Sequence, residues 1–401
     1  MFAFFLIFAG IILDKMGVRF TAVLSATVMV VGASIKLYGI SDAFNNGGFG
    51  YEFLNSFWPS FPASAKMASI GFAIFGCGVE MAGVTVSKGI VKWFKGKEMA
   101  LAMGLEMAIA RLGVFAVFRL SPIMAEHGGV SMSVGVGTLL LLIGLLSFSV
   151  YFFMDRTLER QDATARDQAD PEEEFKISDL KAIFTSKTFM IVAGLCVLFY
   201  SAIFPFQKFA TGMLESRLSM STSEASGLFS FFPIGAMVLT PLLGWFIDNK
   251  GKAGTMLMLG SLLVVICHLI FALTPAASFT FSVALSAIIL LGISFSLVPA
   301  ALWPSVPKLV DNRVLGSAYS IIFWIQNIGL MLTPMLIGWA LKTTNPGVAD
   351  GIAAGEALKY NYTVPMLIFA SLGVVAFFLA IWLKAEDKKK GYGIELPNVK
   401  K

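Results

Sequence analysis

The sequence predicts an all-α, polytopic membrane protein built as two related halves. Three observations carry this. The 401 residues are 57% hydrophobic and 14% charged, with a mean hydropathy of +0.80, whereas about a quarter of a soluble globular chain is charged. The apolar residues gather into ten stretches long enough for the ~20-residue helix that a bilayer core requires. A short polar signature recurs at corresponding places in the two halves.

The ten stretches run over about 20–40, 67–91, 99–122, 130–154, 188–210, 223–247, 254–274, 278–305, 314–341 and 360–384. Residues 1–13 form an eleventh that is too short to cross. None alternates polar and apolar residues with period two, which excludes an outer-membrane barrel. Helices are then the way to satisfy the backbone in hydrocarbon. The 38 glycines fall largely inside the stretches. There they let membrane helices approach closely, as at Gly71, Gly76, Gly78 and Gly83. Cys77, Cys196 and Cys267 lie apart in apolar stretches without metal-ligand spacing, so no disulfide, metal or cofactor is expected.

The net charge of +5 is explained by where the charges lie. If the helices thread alternately, one set of connections carries Lys15 and Arg19, Lys88 to Lys97, the bases of 155–187, Lys250 and Lys252, Lys308 and Arg313, and the C-terminal lysines. The opposite set carries only Lys36, Lys66, Arg119, Lys208, Arg217, Lys342 and Lys359. The first set is therefore cytoplasmic, and no nucleic-acid partner is expected.

Residues 155–187 hold nine acids and six bases, including the run Asp170-Pro-Glu-Glu-Glu174. They read as a solvated cytoplasmic linker, with a regulatory partner site as the alternative. The expected domains are a first half at 1–154, this linker, a six-helix half at 188–384 and a basic cytoplasmic tail at 385–401.

The repeat appears first as Gly10-Ile-Ile-Leu-Asp14-Lys15-Met-Gly17-Val-Arg19 and again as Gly244-Trp-Phe-Ile-Asp248-Asn-Lys-Gly251-Lys252. Each copy sits where a helix leaves the membrane on the cytoplasmic side. Two helices later, Trp93-Phe-Lys-Gly-Lys97 corresponds to Leu309-Val-Asp-Asn-Arg313, and Gly113 to Gly329. The first glycine of the signature allows close helix contact and the second a tight turn. The Asp can face a helix N-terminus, and the Arg or Lys can pair with nearby acids. A purely structural turn is the alternative.

This pattern resembles the loop signature of the major facilitator superfamily. The resemblance implies two pseudo-symmetric six-helix bundles that rock about a central site. It also implies that Gly10, Asp14, Gly17 and Arg19, with Gly244, Asp248, Gly251 and Lys252, form a conformational gate latching the outward-open state. In that family the signature follows the second helix, whereas Gly10 follows the first, short one. About eleven spans are thus expected, the first truncated, with one helix and part of the next lacking relative to the family's twelve. A signal peptide at 1–13 is a poor alternative, because a basic start and a small-residue cleavage site are absent there.

Catalysis finds little support. There is no Gly-x-x-x-x-Gly-Lys-Ser/Thr phosphate loop, and His127 and His268 are not arranged with a nucleophile. Transport of a small-molecule substrate across the lipid bilayer fits better. Ionisable residues deep in a span are functional candidates, since burying a lone charge is costly. Glu80 lies ~16 Å from the cytoplasmic end of its helix and Arg111 ~18 Å from the same face on the next. The two charges can neutralise each other as a structural ion pair, or receive the amine and carboxylate of a zwitterion. The repeat sets Asn327 in the position of Arg111, with Gln326 beside it. Tyr200 lies mid-helix on an element that lines the cavity in this superfamily. Lys208 is expected to snorkel, Glu106 to meet the cytoplasmic loops and His268 to be structural.

Two longer strings are more particular. Trp93-Phe-Lys-Gly-Lys-Glu98, continuing through Gly104-Leu105 to Ala110-Arg111-Leu-Gly113, is one. Ala301-Leu-Trp303-Pro304-Ser305, with Gly316-Ser-Ala-Tyr319 and Ile325-Gln326-Asn327-Ile-Gly329, is the other. They resemble the branch of the superfamily that includes the animal lysosomal dipeptide transporters. That resemblance implies dipeptide transport without obvious proton coupling, with Glu80 and Arg111 matching its acidic and arginine site residues. Substrate-binding residues are accordingly expected at Glu80, Arg111, Tyr200, Gln326 and Asn327. Proton-coupled carriage of an organic anion is the rival within transport, and a non-transporting sensor or scaffold the rival outside it. The short loops, and Asn361-Tyr-Thr363 as the one glycosylation-like triplet, close to the membrane, point to a bacterial cytoplasmic membrane.

Overall fold

The computed structural model describes residues 2–94, 99–161, 185–310 and 315–397. Among these residues there is no strand. The chain opens with α1 (Phe2–Gly39), the short α2 (Asp42–Asn45) and α3 (Tyr51–Asn55), then α4 (Ala63–Phe94) and the 63-residue α5 (Met99–Gln161). After the central segment come α6 (Lys187–Leu218), α7 (Thr222–Phe229), α8 (Phe231–Lys250), α9 (Ala253–Leu273), α10 (Phe281–Ser305), α11 (Leu315–Thr344), α12 (Val348–Ala353) and α13 (Thr363–Lys390).

Among the described residues nine helices are long and apolar enough to cross a membrane. One of them, Ile109–Thr157, has 49 residues, or ~74 Å of helix at 1.5 Å per residue, more than twice a ~30 Å hydrocarbon core. It is broken at Gly128 (φ −137, ψ 20) and Gly129 (φ 71, ψ 175), so it supplies two of the expected stretches, 99–122 and 130–154. Likewise α1 is interrupted at Gly17 (φ 78, ψ 166), which sets the short N-terminal arm apart from the first full stretch.

Two expected boundaries shift. Helix α5 continues to Gln161, so the first residues of the expected linker are helical, and Asp155 is fully buried rather than solvated. The acidic run at 170–174 lies outside the described residues. At the other end α13 continues through Lys390, and the tail beyond it folds back: Ile394 is buried and its amide donates to Asp387 Oδ1 at 3.0 Å. Hydropathy marks only what hydrocarbon covers, and helices run on into the headgroup region.

The chain forms two compact units, residues 1–105 with 120–172, and residues 106–119 with 173–401. The sequence boundary had assigned 106–119 to the first half; they group with the second unit. In the first unit α1 packs along α4 through glycines. A Cβ on Gly71 would lie 2.5 Å from the Lys36 backbone nitrogen and 2.6 Å from the Gly32 carbonyl, so a side chain there would force the helices apart. In the second unit α9 packs on α10 and α13, α8 on α10, and α6 on α11 and α13. Phe189, Phe199, Phe206, Phe229, Phe271 and Phe369 fill the core between them.

The second unit also sorts its charges by end. At one end the Lys187 ammonium donates to Glu386 at 2.8 Å, and Lys308 Nζ to the Gly393 carbonyl at 2.9 Å. At the other Arg217 donates to the Thr274 carbonyl, and Lys359 to Ser219 Oγ at 2.5 Å. This matches the division of bases that the positive-inside rule draws from the sequence.

Candidate functional site

The site is built upward from α10, whose apolar sequence buries Phe295 in the second unit's core. The Arg111 guanidinium lies over that ring, 4.6 Å from its centroid. A cation over an aromatic face recovers part of what desolvating the charge costs. Phe295 meets Phe204 edge-on (5.6 Å, 88°) and Tyr200 edge-on (6.5 Å, 83°), while Tyr200 and Phe204 stack at 5.4 Å and 9°. The Tyr200 hydroxyl accepts from Trp303 Nε1 at 3.1 Å, and Trp303 stacks on Phe323 at 4.8 Å. Phe295, Phe204 and Phe323 escaped sequence reasoning; they stand among 37 phenylalanines in apolar helices, with nothing to single them out. Trp303, inside a string quoted above, was the one with a signal.

Two of the five expected binding residues, Arg111 and Tyr200, thus meet around one ring. The two amides have different surroundings. Gln326 is buried and its Oε1 accepts from Cys196 Sγ at 3.4 Å, so it ties α11 to α6. Asn327, turned ~100° away on the helix, is partly exposed. Glu80 belongs to α4 in the first unit and is partly exposed. Among the described residues neither Glu80 nor Arg111 has an ion-pair partner.

The residues expected to form a gate divide between the units. In the first, Gly10 and Asp14 occupy helical positions before the break at Gly17. Arg19 Nε lies 3.6 Å from Asp155 Oδ2. Asp155 Oδ1 also accepts from Trp93 Nε1 at 2.9 Å and from the Tyr151 hydroxyl at 3.2 Å. Asp155 is the acid beside this turn that sequence reasoning missed; Tyr151, one helical turn before it, was the available signal. A cavity of ≈ 320 Å³ lined by Val18, Thr85, Trp93 and Tyr151 adjoins this cluster.

In the second unit Gly244 and Asp248 lie within α8. Gly251 (φ 73) and Lys252 (φ 67) make a left-handed turn. The expected turn glycine is therefore present in both copies. At the first glycine of the second copy, a Cβ on Gly244 would meet nothing within 4 Å among the described residues. At the N-terminus of α9 a carboxylate from the tail, Glu395, accepts from Thr255 N at 2.7 Å. Lys97 and Arg313 lie outside the described residues.

His268 is fully buried. Its Nε2 bonds the Ala202 carbonyl at 3.0 Å, and its ring stacks on Phe369 at 5.2 Å, in keeping with a structural role. Lys208 is exposed. At the outer end of the second unit a cavity of ≈ 540 Å³ is lined by Glu215, Ser219, Lys359 and Tyr362.

Residues 1–334 match the family model described as Major Facilitator Superfamily. The zebrafish (Danio rerio) protein named lysosomal dipeptide transporter MFSD1 is 29% identical over 388 residues, covering 94% of this chain and 75% of that one. The human protein of the same name is 26% identical, over 84% and 68%. Among solved structures, a point mutant of the nucleoside transporter NupG aligns with a TM-score of 0.68 at 16% identity, covering 94% and 87%. A point mutant of the peptide transporter POT aligns at 0.65 and 11%, covering 97% and 83%. The paired signatures, the membrane-spanning helices and a family match over residues 1–334 establish that this chain belongs to the Major Facilitator Superfamily, as a multi-pass helical membrane protein of a transporter family.

Proposed function

We propose that this protein carries a small zwitterion, a dipeptide or a close analogue, by alternating access. The observation that carries the reading is Arg111. A guanidinium in a membrane-spanning helix, held over Phe295 with no carboxylate partner among the described residues, has its in-plane N–H fork open for a carboxylate. The Tyr200–Phe204 stack beside it offers an apolar wall for a side chain. Glu80, in the first unit and equally without an ion-pair partner among the described residues, is proposed as the acidic residue that the resemblance implies. The relatives named dipeptide transporters support the same solute class. The cell membrane of a bacterium is proposed as the location, from the short loops; the named relatives are animal and lysosomal.

The test is uptake of labelled L-alanyl-L-alanine into proteoliposomes. Arg111→Ala is expected to reduce uptake by roughly a hundredfold, the scale of a lost charge-assisted bidentate contact, while the melting temperature in detergent holds. Arg111→Lys keeps the charge but loses the planar stack and the fork, so it recovers only part of the rate. Equal loss of folded protein and of uptake would sink the reading. The rival, proton-coupled transport of an organic anion, assigns Glu80 to the proton and Arg111 to the anion. An imposed pH gradient would then drive accumulation, and Glu80→Gln would abolish that drive while sparing exchange.

A further inference from the structure

Helix α9 begins without a cap of its own. Its N-cap residue is Lys252, in the left-handed region at φ 67, and no side chain at that position bonds the first turn. A helix start leaves several amides without partners and carries a partial positive charge. Here the missing acceptor comes from 140 residues away. Glu395 Oε1 accepts from Thr255 N at 2.7 Å, and Oε2 accepts from the Thr255 hydroxyl at 2.9 Å. Lys384 joins the cluster, 3.5 Å from the same carboxylate and 2.6 Å from the Thr255 hydroxyl.

The tail backbone engages the signature turn itself. Lys252 N donates to the Glu395 carbonyl at 2.9 Å. The space that a Cβ on Gly251 would need is occupied by that carbonyl and by Leu396. Gly251 is thus required twice, by its φ of 73 and by the tail against it. Lys308, between α10 and α11, donates to the carbonyls of Gly393 and Leu396, both at 2.9 Å. Asp387 holds the tail from behind by accepting from the amides of Ile394 and Glu395.

We infer that Glu395 is a positioning residue of the second gate: the segment 391–397 straps the turn Gly251–Lys252 to α9, to Lys308 and to α13, and thereby keeps Lys252 in its strained left-handed conformation. A left-handed non-glycine residue is sparsely populated and persists only where its surroundings over-determine it. Without the strap the turn relaxes and Lys252 leaves that conformation. Ligand binding at Arg111 does not depend on the strap, but the gate transition does.

Hydrogen–deuterium exchange of the purified chain in detergent provides the direct test. Glu395→Gln keeps the shape and removes the charge, and is expected to speed exchange of the amides at 251–256 by about tenfold, consistent with losing one charge-assisted hydrogen bond. Glu395→Asp recovers part of the protection. Uptake of L-alanyl-L-alanine by Glu395→Gln is expected to lose maximal rate by about tenfold, the same loss read as a barrier, with an unchanged half-saturating concentration. Unaltered exchange overturns the inference, as does faster exchange with an unaltered maximal rate, which reduces the strap to packing. The uptake arm rests on the dipeptide reading. If the unaltered chain carries no dipeptide, that reading fails separately, and the exchange measurement still decides whether Glu395 positions the turn.

Discussion

The two signature turns are near-copies in sequence and are held in different ways. At the first, the basic residue Arg19 reaches a fully buried carboxylate, Asp155, which also takes hydrogen bonds from Trp93 and Tyr151. At the second, the turn is held through its backbone by a folded-back tail, and the carboxylate involved, Glu395, serves the next helix's first turn. The repeat specifies a glycine turn beside a cation, and each unit supplies its own acid from elsewhere in the chain. One acid is buried and shared by side chains; the other is half-exposed and capping. Equivalent substitutions should therefore act unequally.

The largest effect is expected at Asp155. Asp155→Ala removes a fully buried carboxylate that Arg19, Trp93 and Tyr151 all reach from part-buried positions, which should cost about 3 kcal/mol, the low end for breaking a buried pair. Thermal unfolding in detergent reads this, and a loss no larger than that of Glu395→Ala would erase the contrast between the turns. Next comes Gly251→Ala, which combines left-handed backbone strain with a clash against the tail and should cost about 1–3 kcal/mol. Gly17→Ala has the strain alone, since among the described residues a Cβ there meets nothing within 4 Å, and should fall toward the lower end of that range of about 1–3 kcal/mol. Shortening the tail before Gly393 would bring the two alanine variants together if the tail supplies the difference. Smallest is Tyr151→Phe, which deletes one hydroxyl from Asp155 at 3.2 Å and should cost roughly 0.5–1.5 kcal/mol.

Legibility in the sequence followed the same division. The spans, their breaks and the end at which the bases gather were readable because they report partition between water and hydrocarbon. Arg111 and Glu80 were readable as candidates because a charge in an apolar run stands out. Asp155 was not, since it begins a polar segment and looks solvated until Arg19, Trp93 and Tyr151 surround it. Glu395 lay in a tail that composition assigns to solvent. Gln326 and Asn327 were adjacent in sequence and appeared as one feature, but helical geometry turns them apart, and Cys196 takes one of them.

By itself the sequence determined an all-α membrane protein, its family signature in two copies and the glycine turns at Gly17 and Gly251. Those properties belong to single residues or short windows, where hydropathy and backbone conformation act locally. The tertiary structure alone decided that Arg111 rests on Phe295, that Asp155 receives Arg19 and that Glu395 caps α9. Such partners are brought together by helix packing across long stretches of chain, and no local pattern encodes which acid or ring arrives at a given charge.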